Sequence, residues 1–194
     1  MAMITRDSLL TLEAYSRSRT EFRARVMQHK LDRRVQLGKH ITLQFEDELT
    51  IRYQVQEMLR IERIFEETGI QHELDAYNPL IPDGSNLKAT MMIEYPDAEE
   101  RRQALARLKG IEDAVWVRVQ DGQKIRAIAD EDLERENDEK TSSVHFLRFE
   151  LGLRDRQELV SGASLAIGVD HPEYHAESDP VAESIRVALA RDLL

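Results

Sequence analysis

The chain has 194 residues, no cysteine and a formal net charge of −10. The missing cysteine excludes disulfides, thiolate metal sites, iron–sulfur clusters and cysteine nucleophiles, and it suits a reducing cytoplasm. No stretch approaches the roughly 20 apolar residues of a membrane-spanning helix, and Met1 to Asp7 lacks the apolar core of a secretory signal. The expectation is therefore a cytoplasmic protein with no membrane partner.

A chain of this length buries roughly 70% of its unfolded surface and needs no covalent staple. Its composition shows no break, so residues 1–194 are expected to form one domain. The acidic balance argues against nonspecific nucleic-acid binding. The charge is uneven, however. Residues 1–40 hold nine Lys/Arg against four Asp/Glu. A basic opening on an acidic body points to self-association, within one chain or between subunits.

In chain order, Leu9, Leu10, Leu12, Ala14, Tyr15 and Phe22 mark a basic helical segment within residues 1–30, from about Asp7 to His29. Its apolar side weakens at Ser16–Thr20, where a break is possible. Arg34 to Phe45 reads as two short strands around Gly38; Ile41, Leu43 and Phe45 alternate with polar residues. Glu46, Asp47 and Glu48 suit a helix start and Gly69 a helix end, which predicts a helix over Asp47–Thr68. A shorter helix over Gln71–Ala76 follows. The segment Tyr77 to Gly84 holds two prolines and an Asp-Gly pair and cannot stay helical.

Leu87, Ala89, Met91, Ile93 and Tyr95 line one side of a strand that Pro96 stops. Asp97 caps a helix to Gly110. Val115, Val117 and Val119 form a strand that turns at Asp121-Gly122 into Gln123–Ala129. Residues 130–140 hold seven acidic side chains, a solvated run. Ser143–Leu151 is a strand, Asp155–Val160 a short helix, and Leu165, Ile167 and Val169 the last strand. Asp170–Pro180 is a polar loop, and a C-terminal helix falls within 176–194.

Several strand pairs are joined too tightly for parallel crossovers. The expected fold is α+β, a mostly antiparallel sheet of about six strands with helices mainly on one face. The second face then shows Thr42, Gln44, Lys88, Thr90, Met92, Glu94, Trp116, Arg118, Phe146, Arg148 and Glu150. Charges alternate there with Trp116, Phe146 and Met92. Such a mixed face meets the chain's own helices, a second copy in a homodimer, or a small molecule.

Chemistry-bearing residues are few. His145 has apolar neighbours two and four positions on and should face the core, where an imidazole needs hydrogen-bond partners or a metal. His171 and His175 share a six-residue loop with Asp170 and Glu173. Glu57 lies beside Arg60 on a half-buried helix face. Imidazole with carboxylate suits iron, zinc or manganese, so the metal candidates are His145, His171, His175 and Glu57. Satisfied core or surface groups are the plainer reading of each. Arg60, Lys88, Arg118 and Arg148 are the candidates for binding an organic anion. No P-loop, no G-x-G-x-x-G and no G-x-S-x-G occurs.

Three stretches, Tyr53–Glu62, Glu73–Gly84 with Ala89-Thr90-Met91, and Asn137–Thr141 with Val144-His145-Phe146, are together similar to the bacterial family known as domain of unknown function 3501. The resemblance runs from Ile4 to about Tyr174. It implies an accessory role near iron or peroxide metabolism and identifies no catalytic residue. The leading expectation is a non-catalytic accessory protein, a homodimer with a possible redox-protein partner. The alternative is a metal-dependent enzyme or metal-binding protein built on the histidines and Glu57.

Overall fold

Strands whose side chains alternate between apolar and polar bury one face, and here all the buried faces point into one shared interior. In the computed structural model, which describes residues 3–193, nine strands divide between two antiparallel sheets. The first sheet contains β1 (Arg34–Leu37), β2 (Ile41–Phe45), β3 (Asn86–Ile93), β6 (Ile128–Ala129) and β7 (Val144–Glu150). Its order is β1-β2-β3-β7-β6. The second contains β4 (Val115–Val119), β5 (Ile125–Arg126), β8 (Leu165–His171) and β9 (Tyr174–Ser178), in the order β5-β4-β8-β9. The α+β class and the antiparallel pairing are as expected.

Two features join the sheets into a partly closed barrel. At one side β5 and β6 are a single run of chain that changes sheets at Ala127, whose amide bonds the Val115 carbonyl at 2.9 Å. At the other side Tyr174 spans the gap. Its hydroxyl donates to the Leu37 carbonyl at 2.6 Å and accepts from the His40 amide at 3.0 Å. Leu43, Met91, Leu147, Val117 and Ile167 meet inside, all fully or almost fully buried. The barrel interior is also filled by side chains of α4 (Ala98–Arg107), α5 (Leu153–Val160) and α6 (Glu183–Ala190).

The remaining helices, α1 (Leu12–Leu31), α2 (Glu48–Ile61) and α3 (Glu67–Tyr77), form a separate layer. Ile4, Ile51, Val55, Leu59, Leu74 and Ile81 give it a small core of its own. Capping sets the starts. Thr11 accepts from the Ala14 amide, and Asp47 and Thr50 cap each other reciprocally at 2.9 Å in both directions.

Several boundaries differ from the sequence reading, each for a local reason. The first helix is unbroken through Ser16–Thr20, because Tyr15 and Val26 are buried against the layer on both sides of that stretch. The long helix expected to Thr68 ends at Ile61, where Arg63 takes a left-handed φ of 56°; the chain restarts as α3, which absorbs Gly69 and the short helix expected at Gln71. The polar loop expected at Asp170–Pro180 folds back as β9, with Asp170 opposite His175. Trp116 and Arg118 lie on the second sheet, not beside Phe146 and Arg148. Trp116 is fully buried over Gly168, where a Cβ would overlap the indole.

Part of the basic opening lies on the chain's own body. Arg19 pairs with Glu57 at 2.7 Å, and the buried Arg33 pairs with Asp192 and, at 3.4 Å, with Asp47.

Gly38 turns β1 into β2 with a φ of 65°, and a Cβ added there would lie 2.5 Å from the Tyr174 hydroxyl. Gly38→Ala is therefore expected to cost about 2 kcal/mol, from the left-handed backbone and the strained seam together. A lowered urea midpoint with an unchanged slope is the expected readout.

Candidate functional site

Outside the barrel, the exposed face of the first sheet and the helical layer do not meet everywhere. Between them lies a cleft of about 650 Å³. Its helical side is Met58 of α2, Glu73, Ala76 and Tyr77 of α3, and Pro79 and Leu80 just beyond. Its sheet side is Lys88 of β3 with Phe146 and Arg148 of β7. Strand alternation places these three on the outer face, and the register sets Lys88 directly opposite Arg148 and Thr90 opposite Phe146. Glu131 and Asp132 close the rim. A cleft of this volume with an apolar wall and a few polar groups has the form of a small-molecule site.

Charge in the cleft is arranged rather than random. Arg148 is held by both oxygens of Glu131 at 2.8 Å and by Glu150 at 2.7 Å. These hydrogen bonds keep the Glu131 carboxyl below its usual range. Lys88 donates to the Pro79 carbonyl, and burial pushes its ammonium down despite the pull of Asp83.

The four expected anion-binding residues divide. Lys88 and Arg148 come together. Arg60 sits on α2 and reaches Glu57 at 3.4 Å. Arg118 lies on the second sheet, paired with Asp179 and stacked 5.7 Å from the Trp116 ring centre.

The four expected metal ligands do not meet. His145 faces the barrel interior, as its pattern predicts, and is fully buried. His171 and His175 point to opposite sides of the β8–β9 hairpin, because His171 pairs with Tyr174 while His175 pairs with Asp170. His171 bonds the Lys109 carbonyl at 2.9 Å and accepts from the Glu173 amide at 3.2 Å. His175 is exposed, 3.3 Å from Asp170. Glu57 is in the helical layer, gripped by Arg19 at 2.7 and 2.8 Å and by the Tyr15 hydroxyl at 2.7 Å.

His145 has partners that sequence reasoning missed. Its Nδ1 lies 2.6 Å from Asp130, and its Nε2 lies 3.0 Å from the Thr141 hydroxyl and 3.9 Å from Glu112. A carboxylate only accepts, so Nδ1 donates to Asp130, and Nε2 also lies 3.0 Å from the Ser142 carbonyl, another group that only accepts. Asp130 is fixed in turn by the Phe146 amide at 2.9 Å. Burial pushes the Glu112 carboxyl up. The ligating atoms of Glu112, Asp130 and His145 all lie within 4.8 Å of one another. Asp130 opens the acidic run read as a solvated surface, and only the buried histidine's need for a partner could have singled it out.

Comparison with known proteins follows the same lines. The model of the family described as "Protein of unknown function (DUF3501)" matches residues 3–193. The chain belongs to this family. The match extends past Tyr174 through β9 and α6, beyond the stretch that the quoted motifs cover. A crystal structure of a novel protein of unknown function from Burkholderia pseudomallei K96243 is 58% identical to the DUF3501 chain described here. It covers 100% of both chains with a TM-score of 0.95. Among curated proteins no match is found. No helix among the described residues is long and apolar enough to cross a membrane.

The Glu57 carboxyl is lowered to about 2, chiefly by the Arg19 hydrogen bonds. A carboxyl depressed in the folded state contributes stability that is present above about pH 4.5 and lost as the pH falls toward 2. Between about pH 5 and pH 2.5, the native protein is expected to lose roughly 2 kcal/mol more than Glu57→Gln. Denaturant titrations of both proteins across that window measure the difference.

Proposed function

We propose that this protein is a non-catalytic binding module, and that the cleft between the helical layer and the outer sheet face is where it takes its ligand. The observation that carries this reading is the cleft itself: an apolar wall of Met58, Tyr77, Leu80 and Phe146 against a floor holding Lys88 and Arg148. The hydroxyl, imidazole and carboxylate of Thr141, His145 and Asp130 do line up, but Thr141 and His145 are fully buried, out of reach of a substrate. Service to an iron- or peroxide-handling system is the part of the proposal that rests on the family resemblance alone.

Ala76 is exposed on α3 and lines the cleft, so a larger side chain there fills the space without entering either core. The neutral fluorophore N-phenyl-1-naphthylamine is expected to brighten on binding the native protein. Ala76→Trp is expected to reduce that response at least fivefold with an unchanged melting temperature. An equal response from both proteins, or none from the native protein, would overturn the assignment of the cleft.

One observation favours a second reading, metal binding by histidine and carboxylate. The residues it now involves are Glu112, Asp130 and His145, in place of the expected set. Two carboxylates and an imidazole suit iron, zinc or manganese. About one equivalent of metal on untagged protein after reconstitution, lost in Glu112→Gln, would install this reading. The binding-module proposal expects no stoichiometric metal in elemental analysis.

A further inference from the structure

Of the two cations that line the cleft, Lys88 and Arg148, only Arg148 is ion-paired among the described residues. An ammonium has three N–H donors. One is used by the Pro79 carbonyl. Of the carboxylates whose charge reaches it, Asp83 is hydrogen-bonded to Ser85 while Glu131 and Glu150 are committed to Arg148, and Lys88 forms no ion pair among the described residues. Its side chain is half-buried beside Tyr77, Leu80 and Phe146. A cation taken partly out of water without a counter-ion is destabilised, which agrees with the downward shift of its ammonium. Two donors on a desolvated cation, at the floor of an apolar cleft, match a carboxylate carried on a greasy body.

The rim restricts the number of charges. Four carboxylates, Glu73, Asp75, Glu131 and Asp132, line the cleft as well. A first negative charge at the floor neutralises Lys88, whereas a second, nearer the mouth, meets these acids. The volume of about 650 Å³ accommodates a molecule of drug-like size rather than a small acid such as acetate.

We infer that the cleft binds an apolar monocarboxylate, its carboxylate received by Lys88 and its hydrocarbon body lying along Met58, Tyr77, Leu80 and Phe146. This rests on the cleft being the ligand site and adds to that reading the chemical class of the ligand.

Four ten-carbon probes separate the possibilities: decanoate, decanol, decylamine and decanedioate, each titrated calorimetrically into the full chain below its aggregation threshold. Decanoate is expected to bind at least tenfold more tightly than each of the other three. Lys88→Met is expected to bring decanoate down to the affinity of decanol while leaving decanol unchanged, and Lys88→Arg to keep the preference for the acid. The lysine side-chain NMR signal of Lys88 should titrate at higher pH when decanoate is bound. Equal affinity for decanoate and decanol, or tightest binding of decylamine or of the diacid, would overturn the inference while leaving the cleft a ligand site. Failure of all four probes would overturn the cleft reading itself. Should Lys88→Met misfold, the probe ranking and the Lys88 titration on the native protein decide alone.

Discussion

The apolar interior shared by two antiparallel sheets is the constraint from which the other features follow. Each sheet is narrow and carries one greasy face, and neither can leave that face in water. They satisfy each other by closing, through the switch of strand at Ala127 and the Tyr174 bridge to Leu37 and His40. Closure consumes the inner faces entirely. The outer face of the first sheet is then the surface left for the helical layer, and its mixed composition comes from serving two roles. Where Thr90 reaches Glu46 at 2.7 Å it is an interface within the fold. Where Lys88, Phe146 and Arg148 stand, it is the floor of a cleft.

Much of this architecture was legible in alternation alone. Leu87, Ala89, Met91 and Ile93 on one strand, and His145, Leu147 and Phe149 on another, announced their buried sides, and those sides are buried. Alternation says which face is hidden but not which sheet hides it. That is why Trp116 and Arg118 fell to the wrong neighbours. The strand β9 was hidden for a different reason: Tyr174, Ala176 and Ser178 make a faint pattern, because that edge closes a seam through one hydroxyl rather than through a row of apolar side chains. The end of α2 was hidden because a left-handed Arg63 leaves no mark in composition.

The site was less legible than the fold. Lys88 and Arg148 were recognisable as charges on a face that also held Phe146, and the register brings them together. Part of the helical half of the cleft comes from Tyr77, Pro79 and Leu80, in a stretch whose two prolines, Pro79 and Pro82, spoke for an ordered loop but not for what it faces. His145 was correctly placed inside. Of its partners, Thr141 is four residues upstream, but Asp130 and Glu112 come from farther away along the chain, and spacing along a sequence carries no information about their meeting. His171, His175 and Glu57 show the converse. Ligand-type residues lay close in sequence or on a suggestive helix face, and the fold assigned each a different local partner.

The helical layer has its own interior, a handful of side chains from Ile4 to Ile81, against a far larger one within the barrel. Cooperative units with little buried apolar surface open at lower free energy than their neighbours. The roof of the cleft therefore belongs to the softer body and its floor to the harder one. Whatever occupies the space between them acts as mortar: it lends the helices some of the permanence of the sheet, and amide exchange in α2 and α3 would slow on binding while the strands beneath register almost nothing.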